Sequence, residues 1–112
     1  MNEKNEIIYT LSRLKLENNI CEKIPAIVMS NSMYPTLRRG QKVFVYPVKN
    51  ELQIGDLILY KHWEKSLTVH RITDIRTEND FDKVYFTKGD NNKEIDDYRI
   101  TKKDIIGIVK TE

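Results

Sequence analysis

Ser30-Asn31-Ser32-Met33-Tyr34-Pro35-Thr36-Leu37 lies between two apolar runs of strand character, Ala26–Ser30 and Lys42–Val48. Pro35 has no backbone N–H and pushes the residue before it away from helical angles. The octapeptide therefore reads as a turn leaving one strand and leading to the next. Further out, Asp56–His62, Leu67–Ile75, Val84–Thr87 and Ile105–Val109 are also short and rich in Val, Ile, Leu, Tyr and Phe. Such runs, punctuated by Gly40, Pro47, Gly55 and Gly89, predict strands. Trp63-Glu64-Lys65-Ser66 reads as a hairpin turn and Thr77–Lys83 as a longer polar one. The class expected is all-β, or β-dominated, over residues 26–112.

The stretch ahead of this core reads differently. Ile7, Ile8, Leu11 and Leu14 fall on one helical stripe within Glu3–Asn18, and Asn18-Asn19 is a stop signal. Residues 1–22 are thus expected to form an amphipathic helix, and 1–112 a single domain. The stripe either packs on the domain or docks it to a membrane surface or a partner protein through residues 3–18. No run approaches the roughly 20 apolar residues that cross a bilayer. The mixed-charge start, Met1-Asn2-Glu3-Lys4-Asn5-Glu6, is not a secretory signal peptide. The expectation is a soluble cytoplasmic protein, at most peripheral to a membrane.

Composition narrows the chemistry. The 112 residues suffice for one hydrophobic core, and 39% hydrophobic with 32% charged residues is ordinary for a globular chain. Nineteen basic against seventeen acidic residues leave a net charge of +2, with the basic residues scattered, so nothing points to nucleic acid. Cys21 is the only cysteine; it allows no intramolecular disulfide and has no activating neighbour. Two separated histidines and one distant cysteine show no metal-ligand spacing, and no Gly-rich phosphate loop occurs.

A serine hydroxyl is a poor nucleophile at neutral pH. It needs a general base within hydrogen-bond reach and donors for the oxyanion formed on attack. The candidate imidazole bases are His62 and His70. Neutral imidazole suits that role because it accepts a proton near physiological pH. Taken alone, Ser30 and Ser32 read as ordinary turn residues before Pro35; the later blocks change that reading.

Three blocks keep their order: Ser30–Leu37, Val69-His70-Arg71-Ile72 and Lys88-Gly89-Asp90-Asn91-Asn92. Together, over about Ala26–Val109, they resemble the catalytic core of signal peptidase I, in the Ser/His branch that includes the endoplasmic-reticulum and archaeal enzymes. Gly55-Asp56-Leu57-Ile58-Leu59-Tyr60 matches a structural element of that family; Arg38-Arg39-Gly40-Gln41 is its counterpart, with Gln41 where Asp is usual. The resemblance implies Ser32 as nucleophile and His70 as base. It implies an oxyanion site from the Ser30 hydroxyl and the Ser32 N–H, and Asp96 orienting His70. Asp97 is the alternative to Asp96, and Asp90 is assigned to holding the Gly-Asp-Asn-Asn turn through backbone N–H bonds. It also implies an extended peptide pairing with Ala26, Ile27, Val28 and Met29 and with Leu67, Thr68 and Val69. Met33 would line a small pocket, the cut would follow small residues, and no cofactor is implied. The resemblance also implies a membrane anchor, for which no apolar run among these 112 residues is long enough.

The expected activity is a serine endopeptidase that removes a signal or leader peptide from a peptide or protein precursor. Two alternatives share the fold: a catalytically silent or partner-dependent peptide-binding module, and a LexA-type self-cleaving regulator. The second usually has a lysine base and a DNA-binding domain, and the roughly 25 residues before the β region are too few for one.

Overall fold

The computed structural model describes residues 8–9, 22–62, 66–79 and 82–111. Among them, eight strands form one antiparallel sheet. They are β1 (Ile8–Tyr9), β2 (Ile24–Val28), β3 (Lys42–Tyr46), β4 (Leu57–His62), β5 (Ser66–Glu78), β6 (Asp82–Lys88), β7 (Ile100–Thr101) and β8 (Ile105–Lys110). Their order across the sheet is β1-β2-β3-β8-β4-β5-β6-β7. The fold is all-β, as the apolar runs predict.

Side-chain alternation divides the core in two. On β4, Leu59 joins Val28, Val43, Val45, Leu67, Val69, Met33 and Leu37. Its neighbours Ile58 and Tyr60 join Leu52, Ile72, Tyr85 and Ile100. A strand buried on both faces needs a continuous apolar run, which is why Leu57–Tyr60 lacks a polar position. Removing Leu59 or Leu37, both at 0% exposure, to Ala would cost about 2–5 kcal/mol in lost transfer energy and cavity formation.

Two matching turns deliver the chain into β3 and β4. Gly40 and Gly55 have φ of 89° and 103°, a region that favours glycine. After Gly55, the Asp56 carboxylate accepts the Gln53 N–H at 2.8 Å. After Gly40, the Gln41 side-chain oxygen accepts the Arg38 N–H, also at 2.8 Å. Glutamine at 41 thus makes the same turn bond by which aspartate at 56 closes its own, and the departure from the family pattern is structurally silent.

The structure departs from expectation at several points. Ile8–Tyr9, expected within a helix, is a strand paired with Ile27 and Val28; residues 1–7 and 10–21 of the expected helix, Cys21 among them, lie outside the described residues. Val28 turns its N–H and carbonyl toward Gln41 and Gly40, so Ile27 turns its own pair the opposite way, toward β1. Those groups need partners, and strand pairing supplies them. Pro25 shares this outward parity, where a missing N–H costs no bond to β3. The β5–β6 hairpin is tighter than expected, with pairing out to Glu78–Asp82 because backbone bonds do not require apolar side chains. Strand β7 was not expected at all. No helix among the described residues is long and apolar enough to cross a membrane.

Candidate active site

Beyond β2 the chain turns over the core. Met33 and Leu37 are buried at 1% and 0% exposure, and the Leu37 N–H bonds the Met33 carbonyl at 2.9 Å. These two anchors hold the turn against the sheet and leave Ser32 half-buried at its surface. Met33 therefore belongs to the core and does not line an open pocket. Adjacent residues in the turn face opposite ways, and Ser32 takes the outer side.

His70 lies in β5 with 3% exposure. Its Nε2 is 3.2 Å from Ser32 Oγ, although 38 positions separate the two residues. Its Nδ1 is 2.6 Å from Asp96 Oδ2. The Tyr60 ring packs edge-on to the imidazole, with centroids 6.5 Å apart and planes at 74°. Asp96 is the aspartate that meets His70, whereas Asp97 is exposed. The Asp96 N–H bonds the Thr87 carbonyl at 2.8 Å, tying the loop after Gly89 back to β6.

Burial by itself would push the Asp96 carboxyl up, but hydrogen bonds and charge from His70, with donors from Thr87 and Tyr60, hold it below the usual range. Thr87 Oγ1 donates to Asp96 Oδ2 at 2.6 Å, and Tyr60 Oη lies 3.4 Å from the same oxygen. Burial pushes the Tyr60 phenol far up, so it stays a neutral hydroxyl. An ionised Asp96 accepting from His70 Nδ1–H leaves Nε2 bare toward Ser32, the tautomer a general base requires.

The Gly89–Asn92 turn clamps the serine from the other side. Asn91 donates its backbone N–H to the Ser32 carbonyl at 2.8 Å and its side-chain amide to the Asn31 carbonyl at 3.1 Å. Asp90 was expected to accept backbone N–H groups of its own turn. Instead it takes Arg71 through both oxygens, at 2.9 and 2.7 Å, and the Thr36 hydroxyl at 2.5 Å. A fork of guanidinium donors outcompetes local backbone groups for a carboxylate. Asp90 thus ties β5 to the turn carrying Ser32.

Ser30 Oγ lies 3.3 Å from the Ser32 N–H and 3.4 Å from Ser32 Oγ. Hydroxyl and N–H converge beside the serine oxygen. Of the residues expected to meet a peptide, Ala26, Val28, Leu67, Thr68 and Val69 are buried, so only their backbone is available to a strand. Ile27 and Met29 are 37% and 41% exposed on the neighbouring parity. β6 pairs with β5 only from Arg71 onward, and among the described residues no strand pairs with Leu67–His70 on that side. β1 sits on β2 and also approaches β5, so the chain's own Ile8–Tyr9 lies between the two edges expected to take a peptide.

Sequence reasoning missed Thr36, Tyr60, Thr87 and Tyr98. Tyr60 carried one signal: a tyrosine inside the buried run Leu57–Tyr60 must find a partner for its hydroxyl. Thr87 carried none, since a threonine in a strand is unremarkable.

No protein-family model matches the chain. It is similar to the signal peptidase complex catalytic subunit SEC11 of Candida tropicalis, 35% identical over 95 residues, covering 75% of this chain and 55% of that protein. The SEC11 subunit of Debaryomyces hansenii is 33% identical over 94 residues, with 75% and 56% covered. That of Ogataea parapolymorpha is 34% identical over 101 residues, with 74% and 57% covered. The chain spans about half the length of the curated relatives it matches.

Proposed function

We propose that this chain, which belongs to the signal peptidase I family, is a serine endopeptidase that removes a leader or signal peptide from a precursor. One observation carries the reading: the continuous chain Ser32 Oγ–His70 Nε2, at 3.2 Å, and His70 Nδ1–Asp96 Oδ2, at 2.6 Å. This is the nucleophile–base–orienter arrangement in the order the chemistry needs.

In the mechanism, neutral His70 takes the Ser32 hydroxyl proton at Nε2 as Oγ attacks the scissile carbonyl. The contact at 3.2 Å shortens when the peptide seats, as catalytic hydrogen bonds commonly do. Asp96 stays ionised and stabilises the imidazolium. The developing oxyanion takes the Ser32 N–H and the Ser30 hydroxyl, which now face each other at 3.3 Å. Donors of this kind contribute on the order of 10²–10³ in rate. His70 then passes its proton to the leaving amine, and a water activated by the same Nε2 releases the acyl group.

The substrate backbone adds to β2 at Ile27 and to Met29 just beyond it, and to β5 at Leu67–Val69, as the family resemblance implies, with small residues near the cut. The SEC11 relatives are named as subunits of a complex, and we extend to this chain a partner protein that presents the precursor. The test is cleavage of a leader-derived peptide with Ala at the cut, assayed with and without the partner. Loss of cleavage in Ser32→Ala at unchanged circular dichroism supports the function; equal turnover in that variant refutes it.

A further inference from the structure

Behind the Ser32–His70–Asp96 chain lies a second line of hydroxyls. Asp96 Oδ2 is approached by His70 Nδ1 at 2.6 Å, Thr87 Oγ1 at 2.6 Å and Tyr60 Oη at 3.4 Å. Tyr60 Oη is 3.1 Å from Thr87 Oγ1 and 2.9 Å from Tyr98 Oη. Thr87 and Tyr60 are both fully buried.

Each hydroxyl has one hydrogen, and an ionised carboxylate only accepts. That is enough to set the direction of every bond. Thr87 gives its hydrogen to Asp96, so it can only accept from Tyr60. Tyr60 gives its hydrogen to Thr87, with the longer contact to Asp96 as a second, weaker target. Tyr98 must then donate to Tyr60. The line runs one way, Tyr98 to Tyr60 to Thr87 to Asp96, and each bond polarises the next.

We propose that Thr87, backed by Tyr60 and Tyr98, is the positioning residue that holds Asp96 Oδ2 on His70 Nδ1 and so keeps His70 in the tautomer that accepts the Ser32 proton. The inference rests on the Ser32–His70–Asp96 reading. A lone carboxylate in this site could swing about its last torsion and present either oxygen. Two donors on one oxygen, His70 Nδ1 and Thr87 Oγ1 at 2.6 Å each, remove that freedom, with the Tyr60 hydroxyl 3.4 Å away beside them. Thr87 is well suited, because its backbone carbonyl also receives the Asp96 N–H at 2.8 Å, so one residue grips the aspartate at both ends.

The test uses the full-length chain. Thr87→Val keeps the branched shape and deletes the hydroxyl; kcat is expected to fall about tenfold with KM within about twofold, and Thr87→Ser to recover most of the loss. Tyr60→Phe should act in the same direction, more weakly. In ¹⁵N-histidine-labelled protein, the Nδ1–H signal of His70, identified by its absence in His70→Gln, should be sharp in the wild type. In Thr87→Val it should shift or broaden toward mixed tautomers. An unchanged His70 signal in both Thr87→Val and Tyr60→Phe would overturn the proposal, as would a kcat loss that Thr87→Ser does not restore. The spectrum needs no turnover, so a failure of the peptidase reading, seen as an active Ser32→Ala, stays separate. If Thr87→Val does not fold, Tyr60→Phe and Thr87→Ser decide the matter.

Discussion

Gly89 is packed so closely on Ser32 that a Cβ at position 89 would stand 2.7 Å from the Ser32 carbonyl oxygen. The same carbon would lie 3.0 Å from His70 Nε2 and 2.7 Å from Asn92 Nδ2. Position 89 needs glycine for space. A methyl there has to push on both halves of the Ser32–His70 pair. Gly89→Ala is therefore expected to lower kcat by about 10–10²-fold, since misplacement by an ångström costs rates of that order. Wild-type turnover in Gly89→Ala would show that the contact is not critical to the reaction.

His70→Ala is expected to be inactive and His62→Ala to keep most of its activity. Steady-state kinetics of both variants against one peptide gives the answer. An inactive His62→Ala beside an active His70→Ala would reverse the assignment of the base.

Acid should unfold the protein through two carboxylates. Arg71 and Thr36 hold Asp90 below its usual range despite partial burial, and Asp96 is held low as well. A depressed carboxylate contributes stability above its unfolded value, about 3.9, and loses that contribution as pH falls through the lower folded value. The melting temperature should fall as pH drops below about 4. Asp90→Asn should melt lower than the wild type at pH 7 and lose less on acidification. A parallel decline in both proteins would remove Asp90 from the account.

Ile8–Tyr9 lies on the β2 edge that a peptide is proposed to use, and Tyr9 pairs opposite Ile27. An incoming strand has to displace it. Tyr9→Pro removes the N–H that faces Ile27 and weakens β1 without touching the serine or histidine. KM for a short free peptide is expected to fall several-fold at unchanged kcat. An unchanged or higher KM would mean that β1 supports the binding edge and does not compete for it.

Much of this protein is a local property of its sequence. Short apolar runs broken by glycine and proline located β2–β6 and β8, because a strand's pairing and burial demand branched and aromatic residues wherever it sits. The Ser32 turn and the His70 block were readable for the same reason: a proline-bearing turn and a strand histidine are defined by their immediate neighbours.

The remainder depended on partners distant in the chain. Asp96 and Asp97 are adjacent carboxylates, and only the path of the loop from Gly89 back to the Thr87 carbonyl decides which one faces His70. Asp90 was legible as structural, yet its partners Arg71 and Thr36 come from two other segments. Ile8 falls on a helical stripe by spacing, but the outward-facing backbone of Ile27 supplies a competing set of bonds that spacing cannot register. The sequence by itself determined an all-β core, and its resemblance to a family put Ser32 and His70 forward as the pair to test. Tertiary structure decided which aspartate meets the histidine, which hydroxyls hold that aspartate, and what lies on the edge of β2. Those outcomes depend on hydrogen-bond direction and sheet register, which exist only once distant strands are side by side.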